Sequence, residues 1–253
     1  MGGDNSPDAT LNGAYLASQY LGKEETIVLV GNEELAKSWF KSNNIDTSVF
    51  EFIHADEVIS MNEHATKALR KKPNNSISVG FNALKNKEID VFSSAGNSGA
   101  MLVGSMFSIG PIKGVIRPSI TSVLPKKNGG VGLILDVGVN ADCKPDVLFQ
   151  FAILGSLFAE NVYNIQKPKV GLLNIGEEKG KGNLLTQSTY QLLEDNDDIN
   201  FVGNVEGRDL FNEKADVIVC DGFTGNVVLK LAESFYSLIN HKNIKDDYFD
   251  RFN

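Results

Sequence analysis

Four stretches of this chain pass directly from continuous apolar residues into glycine, asparagine and acid. They read Gly132-Leu-Ile-Leu-Asp-Val-Gly-Val-Asn140, Val170-Gly-Leu-Leu-Asn-Ile-Gly-Glu-Glu178, Phe201-Val-Gly-Asn-Val-Glu-Gly-Arg-Asp209 and Val217-Ile-Val-Cys-Asp-Gly-Phe-Thr-Gly-Asn226. An apolar run without alternation reads as a strand covered on both faces, as in a parallel sheet. Glycine at its end permits a sharp turn and lets backbone N–H groups approach an anion. In open parallel sheets, ligands sit at the carboxyl ends of the strands. The pattern predicts an α/β enzyme whose site is built on loops over one end of a mostly parallel sheet.

The rest of the chain alternates in the same way. Strands are expected at Thr26–Val30, Val49–Ile53, Ile89–Phe92, Val170–Ile175, from Phe201 and at Val217–Cys220, with an antiparallel pair at Ser119–Leu124 and Val131–Val137. Helices are expected at Glu33–Ser42, Glu63–Lys71, Asn75–Lys87, Ala100–Ser108, Asp146–Val162, Leu184–Glu194 and from Gly225 to about Asn240. Met1-Gly-Gly-Asp-Asn5 reads as a loop that should follow a strand, and Arg251-Phe-Asn253 closes the chain without one, so a fragment is expected.

Bulk properties narrow the function. A net charge of −8 argues against nucleic acid as a partner. No run approaches the ~18 apolar residues of a membrane span. Two cysteines, Cys143 and Cys220, suit a reducing cytoplasm and make no disulfide framework. No cysteine or histidine spacing predicts a metal, and no Walker-type loop predicts an ATPase.

Several polar groups collect at the predicted strand ends. Ser93-Ser-Ala-Gly-Asn-Ser-Gly99 opens a helix; Asn97, Ser98 and Gly99 there fit either a phosphate site or an ordinary capped helix start. Asp136, Asn140, Asp142, Cys143 and Lys144 crowd one strand end beyond what a turn requires. Lys181 stands between two glycines and can meet an anion as a point charge. Asn204, Glu206 and Arg208 follow another strand; Arg208 fits a phosphate contact or a salt bridge equally. Asp221, Thr224 and Asn226 open the last helix as caps or anion ligands. His54 ends a strand and is a candidate acid or base. Arg70, Lys71 and Lys72 end a helix, where they offset its dipole or offer a docking patch for an acidic partner.

Taken in order, Met1-Gly-Gly-Asp-Asn, His54-Ala-Asp-Glu-Val-Ile, Arg70-Lys-Lys, Ser94-Ala-Gly-Asn-Ser-Gly-Ala, Arg117-Pro, Leu135-Asp-Val-Gly-Val-Asn, Lys144-Pro, Leu172-Leu-Asn-Ile-Gly-Glu-Glu, Lys181-Gly, Gly203-Asn-Val-Glu-Gly-Arg-Asp and Val219-Cys-Asp-Gly-Phe-Thr-Gly-Asn resemble the bacterial phosphate acyltransferases of phospholipid synthesis, the PlsX family. The resemblance implies a Rossmann-like three-layer sandwich of the isocitrate/isopropylmalate dehydrogenase-like kind, as one domain over residues 1–253. It implies a homodimer that transfers a fatty acyl group from acyl carrier protein to inorganic phosphate, without cofactor or metal. The product would feed a membrane glycerol-3-phosphate acyltransferase, and the enzyme would be cytoplasmic or peripherally membrane-associated. The family normally has a strand before the Met-Gly-Gly-Asp loop and several dozen residues beyond Asn253. In this sequence Pro73-Asn-Asn-Ser stands where Asp-Ser-Ser is common, and His64 replaces a proline.

On this reading Lys181 and Asn226 are the first choices for phosphate or oxyanion contact, followed by Asn97, Ser98, Asn140 and Arg208, with Asp136 and Asp221 orienting them. Two rivals remain: a dehydrogenase on the related fold using Asp136, Asp142 and Asp221 for a cation, and a non-catalytic scaffold that recruits acyl carrier protein. The apolar stripe Val228, Leu231, Phe235, Leu238 and Ile239, with Tyr248, Phe249 and Phe252 beyond it, is expected to serve core packing, a dimer or a membrane surface.

Overall fold

The structure is a computed structural model that describes residues 2–241. Tyr248, Phe249 and Phe252 therefore lie outside the described residues. The chain divides into two compact units, one from Met1 to Ile112 and the other from Lys113 onward.

The first unit contains α1 (Asp8–Ser18), β1 (Ile27–Gly31), α2 (Glu33–Ser42), β2 (Phe50–His54), α3 (Ala65–Lys71), α4 (Ser76–Lys85) and α5 (Ser98–Ser108). β1 and β2 pair in parallel from Ile27 opposite Phe50 to Gly31 opposite His54. Asparagine starts three of the helices: Asn32 accepts from the Leu35 N–H, Asn75 from those of Ile77 and Ser78, and Asn97 from that of Ala100. Each cap satisfies donors that have no partner within the helix. Leu11, Leu29, Ala36, Phe40 and Phe50 form one core, with the Phe40 and Phe50 rings stacked at 4.8 Å. Ile59, Ala68, Ile77, Phe81 and Ala100 form another.

Two features of this unit depart from the sequence pattern. α1 was not signalled, because it buries only Leu11 and is interrupted by Gly13. The expected strand Ile89–Phe92 does not form. Phe92 instead fills a notch over Gly80, where an added Cβ would meet its ring at 2.2 Å, and it packs edge-on against Phe81. Packing of that partly buried ring fixes the segment without a strand partner.

The second unit is built on a five-stranded sheet. Its strands are β3 (Thr121–Pro125), β4 (Val131–Leu135), β5 (Val170–Leu173), β6 (Phe201–Val205) and β7 (Val217–Val219), in the order β3-β4-β7-β5-β6. Only β3 runs antiparallel, paired to β4 across the expected Lys-Lys-Asn-Gly-Gly turn. Strand residues alternate between two buried faces. Leu133, Leu135, Val170, Leu172, Val217 and Val219 pack with α6 (Pro145–Tyr163) and α7 (Leu184–Glu194). Ile134, Leu173, Ile218 and Val205 pack with Val228 and Leu229 of α8 (Gly222–His241). Helix, sheet and helix thus form the three layers that continuous apolar strands require.

α8 begins at Gly222, three residues before the expected start, because Asp221 caps it by accepting from the Thr224 N–H (2.8 Å) and hydroxyl (2.9 Å). Of its apolar residues, Val228 reaches the core, while Val227, Leu231, Phe235 and Leu238 are each more than half exposed. Core packing therefore accounts for only part of that stripe.

Candidate active site

β7 lies between β4 and β5, and the helix that follows it leaves by the opposite face of the sheet from those following its neighbours. Such a switch in helix direction opens a crevice at the strand ends. Three segments meet this end in order: the loop 136–144 after β4, the first turns of α8 after β7, and the loop 174–183 after β5.

The first loop is organised by Asp136, which is fully buried. Its Oδ1 accepts from the backbone of Ile120 (3.1 Å) and Val139 (3.4 Å), and its Oδ2 from the backbone (2.6 Å) and amide (2.8 Å) of Asn140. Several hydrogen bonds from neutral donors let a carboxylate stay buried. The second amide hydrogen of Asn140 goes to Pro118 O, and its own carbonyl accepts from Gly222 N. Both Asn140 amide hydrogens are thus committed within the protein. Asp136 and Asn140 shape the loop and seat the start of α8 against it. Gly222 and Gly225 make that contact possible: a Cβ on Gly225 would lie 1.9 Å from Asp136 O. Asn226, one residue later, is exposed, and its Oδ1 faces Gly138.

Cys143 is half-buried in the same loop, its thiol donating to Asn140 O at 3.4 Å. Burial, then the Asp221 and Asp136 carboxylates, push it up to about 11. A thiol so placed is almost wholly protonated at neutral pH and is a poor nucleophile. Alkylation by iodoacetamide is expected to stay slow at pH 7 and rise only towards pH 11. Fast labelling at neutral pH would show the thiol to be reactive. Cys220 is buried and its pKa is also raised, chiefly by desolvation.

The loop after β5 is held by amides. Asn174 donates to Lys181 O and to Asn204 Oδ1 (both 3.1 Å), and Asn204 donates to Glu178 O (2.9 Å). Asn204 is buried, so it acts as a fastening within the loop. Lys181 projects from it, exposed, and no ion pair to its ammonium occurs among the described residues. Arg208 is placed differently. Its guanidinium pairs with Glu206 (2.5 Å) and Glu177 (3.3 Å), while Lys214 bridges Glu177 and Asp209. Glu177, Glu206 and Asp209 lie close enough together to hold a cation, but these two side chains already supply the positive charge.

In the first unit, Asn97 is equally committed. Its amide donates to Ser60, Met61 and Glu63 carbonyls at 3.0–3.2 Å, and its Oδ1 caps α5. Ser98 is exposed beside it, Gly99 is half-buried, and Gly2 and Gly3 lie against Gly96 and Ala95. His54 is exposed at the end of β2. Arg70 and Lys71 are exposed, whereas Lys72 holds Val58 O and Glu63 (both 2.7 Å). Two residues assigned no role in the sequence turn out to be structurally connected: Asn174, signalled only by its place after a strand, and Arg117, discussed below.

Comparison with solved structures finds the same fold in proteins described as phosphotransacylases. A branched-chain phosphotransacylase from Enterococcus faecalis V583 matches with a TM-score of 0.65 at 15% identity, over 92% of this chain and 82% of that one. The EutD phosphotransacetylase from Staphylococcus aureus matches at 0.62 and 16% identity, over 90% and 79%. Sequence comparison is more specific. The family described as Fatty acid synthesis protein matches residues 1–249. Phosphate acyltransferases from Dictyoglomus thermophilum and Acetivibrio thermocellus are 47% and 48% identical over 92% and 97% of this chain, and over 69% and 74% of their own lengths. The chain belongs to the phosphate acyltransferase (PlsX) family and is an acyltransferase enzyme. The relatives carry the acyltransferase expectation rather than the dehydrogenase or scaffold one. Among the described residues, no helix is long and apolar enough to cross a membrane.

Proposed function

We propose that the two units act as one phosphate acyltransferase domain that moves a fatty acyl group from acyl carrier protein to inorganic phosphate. One observation carries the reading. Lys181, on the loop after β5, and Asn226, in the first turns of α8 after the adjacent β7, are exposed and free of side-chain hydrogen-bond partners among the described residues, amid polar groups that are saturated. A phosphate oxygen attacks the thioester carbonyl carbon, the tetrahedral oxyanion collapses, and the C–S bond breaks. The thiolate of the carrier's phosphopantetheine arm leaves with the electron pair. Lys181 and Asn226 offer charge and an N–H donor where negative charge grows; Asp136, Asn140, Asp221, Thr224 and Asn204 hold the loops that carry them. Of the other candidates, Ser98 and His54 keep exposed side chains for substrate contact and Gly99 is half-buried beside Ser98, whereas Asn97 and Arg208 are already committed to internal partners. The thioester is already activated, so the reaction needs neither metal nor nucleotide.

Incubation with acyl carrier thioester and phosphate, followed by hydroxylamine trapping, tests this directly. Acyl hydroxamate that forms only when both phosphate and the protein are present supports the reading, and carrier binding without such product overturns it. The acyl phosphate would feed a glycerol-3-phosphate acyltransferase of the membrane, from a cytoplasmic or peripheral location. The exposed face of α8 at Val227, Leu231, Phe235 and Leu238 supports a homodimer.

Acyl carrier protein is acidic, and so is this chain, so a local basic patch must guide encounter. Arg70 and Lys71 fit that role, while Lys72 has a structural task. Reversing Arg70 and Lys71 to glutamate is expected to raise the KM for the carrier severalfold and leave that for phosphate unchanged, most clearly at low salt. Equal effects on both substrates would place docking elsewhere.

A further inference from the structure

The geometry points to Arg117 as a second anion contact of the active site, one that binds a phosphoryl group. The segment around it is fastened on both sides. Gln150 accepts from Ile116 N and donates to Gly114 O (both 2.8 Å). Pro118 O accepts from Asn140, and Ile120 N donates to Asp136. The two buried residues that shape the loop after β4 thus also fix the backbone on the C-terminal side of Arg117. From that position its guanidinium donates to Asp142 O at 3.0 Å, and its charge opposes the upward shift of Cys143.

A guanidinium carries five N–H donors in a planar fork suited to phosphate. Arg117 uses one of them on a backbone carbonyl, is exposed, and meets no carboxylate among the described residues. Arg208, by contrast, is paired with two glutamates. In sheet order, Arg117 belongs to the β4 side of the α8 start and Lys181 to the β5 side, with Asn226 in the first turns of α8 between them. Asp136, Asp142 and Asp221 make this end of the sheet unfavourable to anions unless cations offset them. One cation on each side suits a reaction in which two phosphoryl groups enter. This inference rests on the transfer reading, which brings inorganic phosphate and the phosphodiester of the carrier's arm to one site.

The test is equilibrium titration of the unaltered chain, Arg117→Gln and Arg117→Lys, with inorganic phosphate and with 4′-phosphopantetheine as separate probes. Losing a hydrogen bond to a charged group should weaken one probe by about 10- to 100-fold in the glutamine variant. The lysine variant should recover part of that loss and both should melt normally. Loss confined to phosphate assigns Arg117 to the nucleophile; loss confined to phosphopantetheine assigns it to the carrier's arm. Unchanged affinity for both probes overturns the contact. Equal loss for both also overturns it, because that is the signature of a diffuse field. The titrations do not depend on turnover, so failure of the transfer reading would appear separately, as absent product from the unaltered chain.

Discussion

Lys181→Ala and Asn226→Ala are each expected to form acyl phosphate about 10²–10³ times more slowly, a loss of about 2.7–4 kcal/mol of transition-state stabilisation. Both residues are exposed, and neither side chain fastens a loop. Substitution of such positions usually changes stability by only about ±0.5 kcal/mol. Melting temperatures should therefore stay near that of the unaltered chain while turnover falls. On the proposed reading the two side chains, one on the loop after β5 and one in the first turns of α8, meet one developing charge, so the double variant should lose less than the product of the single losses. Turnover within a few-fold of normal in both single variants would remove them from the reacting centre. A large fall in melting temperature would show that they act as structure.

Gly225→Ala is expected to be the most damaging single methyl group in the second unit. In a helix interior this change ordinarily stabilises, by roughly 0.5–1 kcal/mol. Here the new Cβ would lie 1.9 Å from Asp136 O and 3.0 Å from Cys220 Sγ. Neither the strand end nor the helix start can give way alone, because the Asp136 N–H is bonded to Cys220 O and Gly222 N to Asn140 O. Overpacking of this kind costs about 3 kcal/mol, which lowers the melting temperature of a chain this size by roughly 6–12 °C. Gly13→Ala supplies the control. Gly13 lies within α1 with nothing near its missing Cβ, so it should show the ordinary small gain. Similar melting temperatures for the two variants would mean that the close approach of α8 to Asp136 is not a constraint.

The legible part of the fold was the part governed by periodicity. Val131–Leu135, Val170–Leu173 and Val217–Val219 are apolar without alternation because both faces of the sheet are covered, and that is visible in one dimension. α1 was invisible because one buried leucine makes no pattern. Ile89–Phe92 read as a strand because its residues favour one, yet a side-chain notch in α4 decides its path. The candidate site shows the same division. Glycine, asparagine and acid at strand ends marked where the loops meet. Which polar groups are spent on the protein itself depends on pairings such as Asn140 with Pro118 and Asn97 with Glu63, 22 and 34 positions apart in sequence. Arg208 shows both sides of this, since its partner Glu206 lies two positions away while Glu177 comes from a different strand end.

The loop that carries Lys181 is fastened at its base by Asn174 and Asn204, residues without net charge. Had carboxylates performed that fastening, the nearest ammonium would have been neutralised by its own support, as Lys214 is by Glu177 and Asp209. Amide fastenings confer position and leave the electric field alone. Among the described residues the Lys181 ammonium has no ion-pair partner, so an arriving anion need not first displace a paired carboxylate.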